Sequence, residues 1–177
     1  MIEMKVENIL VNTTNNSRVV LLKEDTGERY LPLFIGTAEA NAIAIAIENV
    51  DMPRPLTHDL AKSIIENLGA SLDQVVITEL RDDVFYGIMV LHKSGQELRI
   101  DSRPSDCMAI ALRFNAPIYV DEPVLDQAAM VIDTETGELK PVADLPGYWP
   151  AKRETDQPPE AFREVLEELD LGDDGET

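Results

Sequence analysis

Hydrophobic positions along this chain switch between two periods. Glu3 to Val11, "EMKVENILV", alternates apolar and polar residues as a strand with one buried face does. Val19-Val20-Leu21-Leu22 and Tyr30 to Ile35 flank the turn-forming stretch Glu24-Asp25-Thr26-Gly27-Glu28, which predicts a hairpin. "GTAEANAIAIAIENV" then changes character. Its Ala-Ile alternation also fits period two, but Thr37 as a cap, Glu39 in the first turn, the alanine content and the length favour a helix. That helix is apolar on nearly every face, which predicts burial. In "DMPRPLTHDLAKSIIENLGA" two prolines enforce an extended loop, Thr57 caps, Leu60, Ile64, Ile65 and Leu68 form a stripe, and Gly69 ends an amphipathic, half-buried helix.

Leu72 to Leu80, Val84 to His92 and Gln96 to Asp101 read as an antiparallel meander, turning at Arg81-Asp82-Asp83 and at Lys93-Ser94-Gly95. A buried helix from Pro104 to Phe114 follows and breaks at Asn115-Ala116-Pro117. A short strand, Ile118 to Val120, and a short helix, Pro123 to Ala129, complete the pattern. Beyond Met130, "DTETGEL" reads as a hairpin tip and "ADLPGYWPAKRETDQPP" as a proline-rich linker. Phe162, Val165, Leu166 and Leu169 then space a short amphipathic helix in an acidic tail. The organisation predicted is a domain over 1–130, a hairpin and linker over 131–159 and the tail over 160–177. Strands and helices do not alternate as in doubly wound folds. The expected class is therefore α+β, with mixed, mostly antiparallel sheets packed against buried helices in a single compact domain plus a C-terminal tail.

Composition narrows the function classes. At 177 residues and 44% hydrophobic, the chain holds one ordinary core. Its apolar runs are too short to span a bilayer and no cationic apolar leader opens it, so a cytoplasmic protein with no membrane association is expected. The single cysteine, Cys107, provides neither an internal disulfide nor a thiolate zinc site. Its apolar neighbours predict a buried, inert thiol. A net charge of −19, from 15 basic and 34 acidic side chains, repels polyanions. A nucleic-acid partner would need a local basic patch or a bridging metal. No GxGxxG, Walker loop, HExxH, paired CxxC or GxSxG is present, which removes the common nucleotide, zinc-protease and serine-hydrolase readings.

Three segments carry a family signature: "LPLFIGTAEA" from Leu31, "RPLTHDL" from Arg54 and "SRPSDCMAIAL" from Ser102, with "VFYG" between the last two. In this order and spacing they resemble the bifunctional nuclease domain family over about Met1 to Met130. The resemblance implies a compact protein of two sheets with helices between, a homo-oligomer, and a nuclease-like hydrolase that cleaves DNA or RNA phosphodiester bonds. Plant relatives are credited with both activities. Some bacterial relatives carry an appended motif like that of nucleotide-excision-repair proteins. Here only the short acidic helix stands in that place, as a candidate surface for a protein partner. The motif more usually has alanine at Cys107, which again suggests a small buried position.

Phosphodiester hydrolysis needs a base for water, stabilisation of the charge that develops on phosphorus, and help for the leaving oxygen. His58 is a candidate acid or base, because imidazole titrates near neutral pH. Arg54 and Arg103 are candidates for gripping phosphate, with Ser105 beside them. Glu39, Asp59 and Asp106 are candidate catalytic carboxylates and oxygen ligands for a divalent cation such as Mg²⁺. The same residues also have a purely structural account. Each acid falls in the first turn of a predicted helix, where it opposes the macrodipole by about 0.3–1 kcal/mol. Pro104 suits the first helical position; Ser102, Thr37 and Thr57 are ordinary caps or their neighbours. Arg54 and Arg103 each precede a proline and can pair with Asp59, Asp101 or Asp106. Acids in these turns compete with phosphate for the free N–H groups, so a metal-bridged route is the more coherent one, and a metal-free route leans on His58 and Arg103. The competing function class is a non-enzymatic oligomeric binding or regulatory module, suggested by the charge and by the cap-like acids.

Overall fold

A computed structural model describes residues 1–11, 17–133 and 139–142. The proline-rich linker and the predicted helix around Phe162 to Leu169 lie outside the described residues. Thirteen elements follow one another. They are β1 (Ile2–Val11), β2 (Arg18–Glu24), β3 (Tyr30–Ile35), α1 (Thr37–Ile47), α2 (Thr57–Asn67), β4 (Ala70–Arg81) and β5 (Val84–Lys93). After them come β6 (Gln96–Ser102), α3 (Pro104–Phe114), β7 (Ile118–Val120), α4 (Glu122–Ala128), β8 (Met130–Ile132) and β9 (Leu139–Pro141). The strands form one nine-stranded sheet in the order β6-β5-β4-β7-β1-β2-β3-β8-β9. All its pairings are antiparallel except β4 with β7. The fold is α+β, as the element order predicts.

A single sheet stands where the family resemblance implied two. The reason is β7, which lies parallel to β4, with Val75 opposite Ile118, and antiparallel to β1, with Ile2 opposite Val120. Three residues thereby join two separate meanders. Strands β8 and β9 carry the same sheet past Met130 to Pro141. The β4–β5 turn places Asp82 and Asp83 at φ 50° and 61°, the two-residue geometry that matches strand twist. Among the described residues no helix is long and apolar enough to cross a membrane.

Both helices before β4 are less buried than their sequences predict. In α1 only Ala40, Ala42 and Ile43 are buried, while Ile47 is 41% exposed. The helix rests on α3 and β2, so its remaining faces stay open. In α2 no residue is buried: Ala61 and Ile65 pack on the core, but Leu60, Ile64 and Leu68 point outward. The capping residues also differ from expectation. The N-caps are Gly36, Leu56 and Arg103, none with a side-chain cap bond, and Thr37 and Thr57 are already the first helical residues. At α2 the Asp59 carboxylate does the capping instead, accepting the Leu56 N–H at 2.8 Å.

Helix α3 is the central one. It packs on α1, α2, β4 and β5, and buries Ser105 and Cys107 through Ala111 in succession. Burial pushes the Cys107 thiol up to about 11, in keeping with an inert core position. Gly87 of β5 lets the start of α3 approach this closely. A Cβ there would lie 2.9 Å from Cys107 Sγ and 3.0 Å from the Ser102 carbonyl oxygen, and backbone cannot yield. Gly87→Ala is therefore expected to destabilise the fold by about 1–3 kcal/mol through overpacking, read as a lower midpoint in urea with unchanged slope.

Candidate active site

The first turns of α1, α2 and α3 meet at one place. α3 brings Arg103 and Asp106, α2 brings His58, and α1 brings Glu39. Pro104 fixes the entry: Arg103, held extended at φ −66° and ψ 146°, points its side chain back along the first turn it precedes. Arg103 Nε donates to Asp106 Oδ2 at 2.7 Å and Nη2 to Asp106 Oδ1 at 3.1 Å, a two-pronged pair. Its Nη1 lies 3.0 Å from Glu39 Oε1. On the other side His58 Nε2 is 3.1 Å from Asp106 Oδ1. His58, Asp106 and Glu39 are largely covered, whereas the Arg103 side chain is 65% exposed. The network thus has three sheltered members and one that faces solvent.

Charge follows from this geometry. Burial pushes the Asp106 carboxyl up, but hydrogen bonds from Arg103 and His58 outweigh it and hold the group below the usual carboxylate range. Asp106 is the hub, ionised and bonded on both oxygens. His58 Nδ1 carries no hydrogen bond among the described residues. When Nε2 holds the proton that it donates to Asp106, Nδ1 is left as a proton acceptor. Arg103 has five N–H donors, of which Asp106 and Glu39 occupy three, leaving one each on Nη1 and Nη2.

The other residues singled out by sequence are placed elsewhere. Asp59 neighbours His58 but turns inward, with Oδ1 accepting from Arg113 Nε at 2.5 Å and Oδ2 from its own helix cap. Hydrogen bonding from Arg113 holds its carboxyl below the ordinary value. Ser105 is 7% exposed, which leaves little of it for a substrate to touch. Arg54 is exposed in the loop before α2 and has no hydrogen bond or ion pair among the described residues. The three carboxylates expected to share a divalent cation are not gathered: two hold Arg103 and the third holds Arg113. Among the described residues no group of three His, Cys, Asp or Glu side chains could hold a metal ion. The donor set as arranged does not fit Mg²⁺.

Arg113 is the residue that sequence reasoning passed over. It is 7% exposed, bonds Asp59 through Nε, and donates through Nη1 to the carbonyls of Ala42 and Ala109 at 3.0 and 2.8 Å. Lys62 adds a bond to the Arg113 carbonyl at 2.7 Å. Arg113 therefore ties α1, α2 and α3 together behind the site and fixes the turn that carries His58. The available signal was an arginine ending the apolar run Cys107 to Leu112, seven residues after Asp106 and so on the same face.

Comparisons with known proteins bear on the same region. The profile of the bifunctional nuclease domain matches residues 20–133, which contain every member of the network. An uncharacterized protein of Mycobacterium tuberculosis is 45% identical over 136 residues, 77% of this chain and 81% of its own length. A bifunctional nuclease of Oryza minuta is 29% identical over 144 residues, 79% of this chain but 44% of the rice protein. Bifunctional nuclease 2 of Arabidopsis thaliana is 28% identical over 116 residues, 64% of this chain and 35% of the plant protein. With three helix starts converging inside the matched segment, this chain belongs to the bifunctional nuclease domain family.

Proposed function

We propose that this chain is a nuclease-type hydrolase that cleaves phosphodiester bonds of DNA or RNA at the His58–Asp106–Arg103–Glu39 network. The observation that carries the reading is the His58–Asp106 contact at 3.1 Å, which joins residues 48 apart in sequence and leaves Nδ1 with no partner. Asp106 orients the ring through Nε2, which leaves Nδ1 to take a proton from an attacking water. The two remaining Arg103 donors oppose the charge that grows on the phosphoryl oxygens. Arg54, exposed in the loop ahead of α2, supplies a second cation for the backbone of the substrate. Glu39 holds Arg103 in place and acts through it. The names of the plant relatives support this reading.

A divalent cation would have to displace Arg103 from Asp106 and Glu39, so the chemistry proposed rests on this chain's own side chains. The experiment is an assay of the purified full chain on single-stranded and duplex DNA and RNA, with Mg²⁺ and after chelation. Cleavage is expected, with Arg103→Ala slower by about 100-fold. An Arg103→Ala variant as fast as the parent would sink the assignment of the site. Turnover on none of the four substrates in either condition would sink the hydrolase reading. It would favour a non-catalytic binding or regulatory module, for which the double neutralisation of Arg103 is the supporting observation.

A further inference from the structure

Helices α1 and α3 meet the catalytic network at their starts, and their far ends border a cleft of about 300 Å³ that the network does not use. Val50 and Leu112 give the cleft apolar walls, and Asn49, Asp51, Arg113 and Asn115 bring polar groups to it. Asn49 and Asn115 stand just past the two helices at φ 48° and 52°, a left-handed conformation that asparagine tolerates. That accounts for their backbone and leaves their amides over. Asn49 gives one N–H to the Ile47 carbonyl at 3.3 Å. The side chains of Asp51 and Asn115 have no hydrogen bond or ion pair among the described residues. Arg113 uses Nε and Nη1 to hold the three helices, and its Nη2 is buried with no hydrogen bond, so its two N–H groups are unmet. Asp59 matches the Arg113 charge, which leaves the cleft with the negative balance of Asp51. A phosphate or carboxylate is disfavoured there. A flat neutral group, with donors on one edge and an acceptor beside them, suits apolar walls and unmet polar groups of both kinds.

We infer, resting on the hydrolase reading above, that this cleft takes an unpaired guanine of the strand being cut and that Asp51 reads its Watson–Crick edge. Guanine alone among the common bases offers a carboxylate two adjacent donors, N1–H and N2–H, with the O6 acceptor next to them for the Asn115 amide. Adenine and cytosine offer an exocyclic amine, but a ring nitrogen acceptor stands where the second donor is needed. Thymine and uracil hold their one N–H between two carbonyls, which a carboxylate repels. Val50 and Leu112 supply apolar contact for the faces of the base. The position suits a strand that also reaches the network. Asp106 and Arg113 are seven residues apart on α3, about 10 Å along the helix. The chain that runs from Asp51 to His58 carries Arg54, exposed and without an ion pair among the described residues, as a cation for the phosphate between. A base enters such a cleft only after leaving its stack, so single strands are favoured over duplex.

The test is fluorescence anisotropy on the full chain carrying His58→Ala, which turns over slowly, with labelled oligothymidylates that hold a single central guanine, hypoxanthine, adenine or cytosine. Guanine is expected to bind at least about tenfold more tightly than adenine or cytosine. Hypoxanthine lacks the N2 amine and should fall between them. Asp51→Asn keeps the size of an exposed side chain and removes the carboxylate, and the guanine preference should disappear. Asn115→Gly keeps the left-handed helix end, removes the amide and should narrow the preference. The comparison of bases needs neither variant, so it decides even if one of them fails to fold. Guanine bound no more tightly than adenine, hypoxanthine bound as tightly as guanine, or a folded variant that keeps the full preference overturns the assignment. Cleavage by the unaltered chain together with equal binding of all four oligonucleotides overturns the guanine cleft and leaves the hydrolase reading standing. A guanine preference in binding without cleavage of any substrate does the reverse.

Discussion

Arg113→Ala is expected to lower folding stability by about 2–3 kcal/mol, because a covered guanidinium that bridges three helices is lost while the remaining Asp59 stays partly solvated. Urea denaturation of the full chain reads it. Three acceptors lose their donor together: Asp59 Oδ1 and the carbonyls of Ala42 and Ala109. The loss falls on contacts between three helices, so local relaxation cannot restore them. Arg113→Lys should not rescue, because a single ammonium cannot reproduce the planar fork that reaches all three. Arg113→Met should lose less than alanine. It keeps the volume and also removes Nη2, which is buried without a hydrogen bond in the native protein. The pH dependence adds a signature. The Asp59 carboxyl is depressed in the folded state, so its contribution is present above the unfolded value, about 3.9, and is lost as pH falls through the folded one. That acid-sensitive part should be smaller in the Arg113→Met curve, where only the Leu56 N–H and His58 still favour the ionised carboxylate. A stability change under about 1 kcal/mol in Arg113→Ala would show that the clamp is unimportant.

His58→Ala is expected to slow phosphodiester cleavage by about 10²–10⁴-fold, the usual range for a positioned acid–base group. The ring is largely covered, sits on the first turn of α2, and is directed by Asp106. Its removal leaves Asp106 bonded to Arg103 on both oxygens, so the folded structure keeps its main restraint there. A thermal midpoint close to the parent's is therefore expected beside the lost rate. His58→Gln should keep a contact to Asp106 but provide no base, and should be as slow as alanine. Full activity in His58→Gln would assign the proton transfer to another group.

Local patterns carried the architecture well because each element announces itself within a few residues. The Pro104 start and Asn115 end of α3, the paired turn aspartates, and the alternation in β4 to β6 are all short-range signals. The continuous sheet was not legible, since three residues of β7 decide it and their partners lie 43 and 118 positions earlier, at Val75 for Ile118 and at Ile2 for Val120. Burial of α1 and α2 was overestimated for a related reason. Periodicity reveals an apolar face but not how much surface arrives to cover it. Within the site, Asp106 and Asp59 looked alike in sequence, both third in their helices. Tertiary placement separates them: one meets His58 and the solvent-facing Arg103, the other the covered Arg113. Whether a first-turn acid serves a cap or a network is settled by the neighbouring helix, which no local window contains.

The bridging role of β7 also orders the birth of the protein. Strands β1 to β3 and β4 to β6 can each zip up from neighbours in sequence, soon after they leave the ribosome. Neither meander has its inner margin covered until Ile118 to Val120 are made, because those residues pair with both. β1 keeps an open edge from Val11 until Ile118 is made, and β4 keeps one from Arg81 to the same point. The last helix before β7, α3, carries Arg103 and Asp106 at its start and leads within a few residues into the strand that closes the sheet.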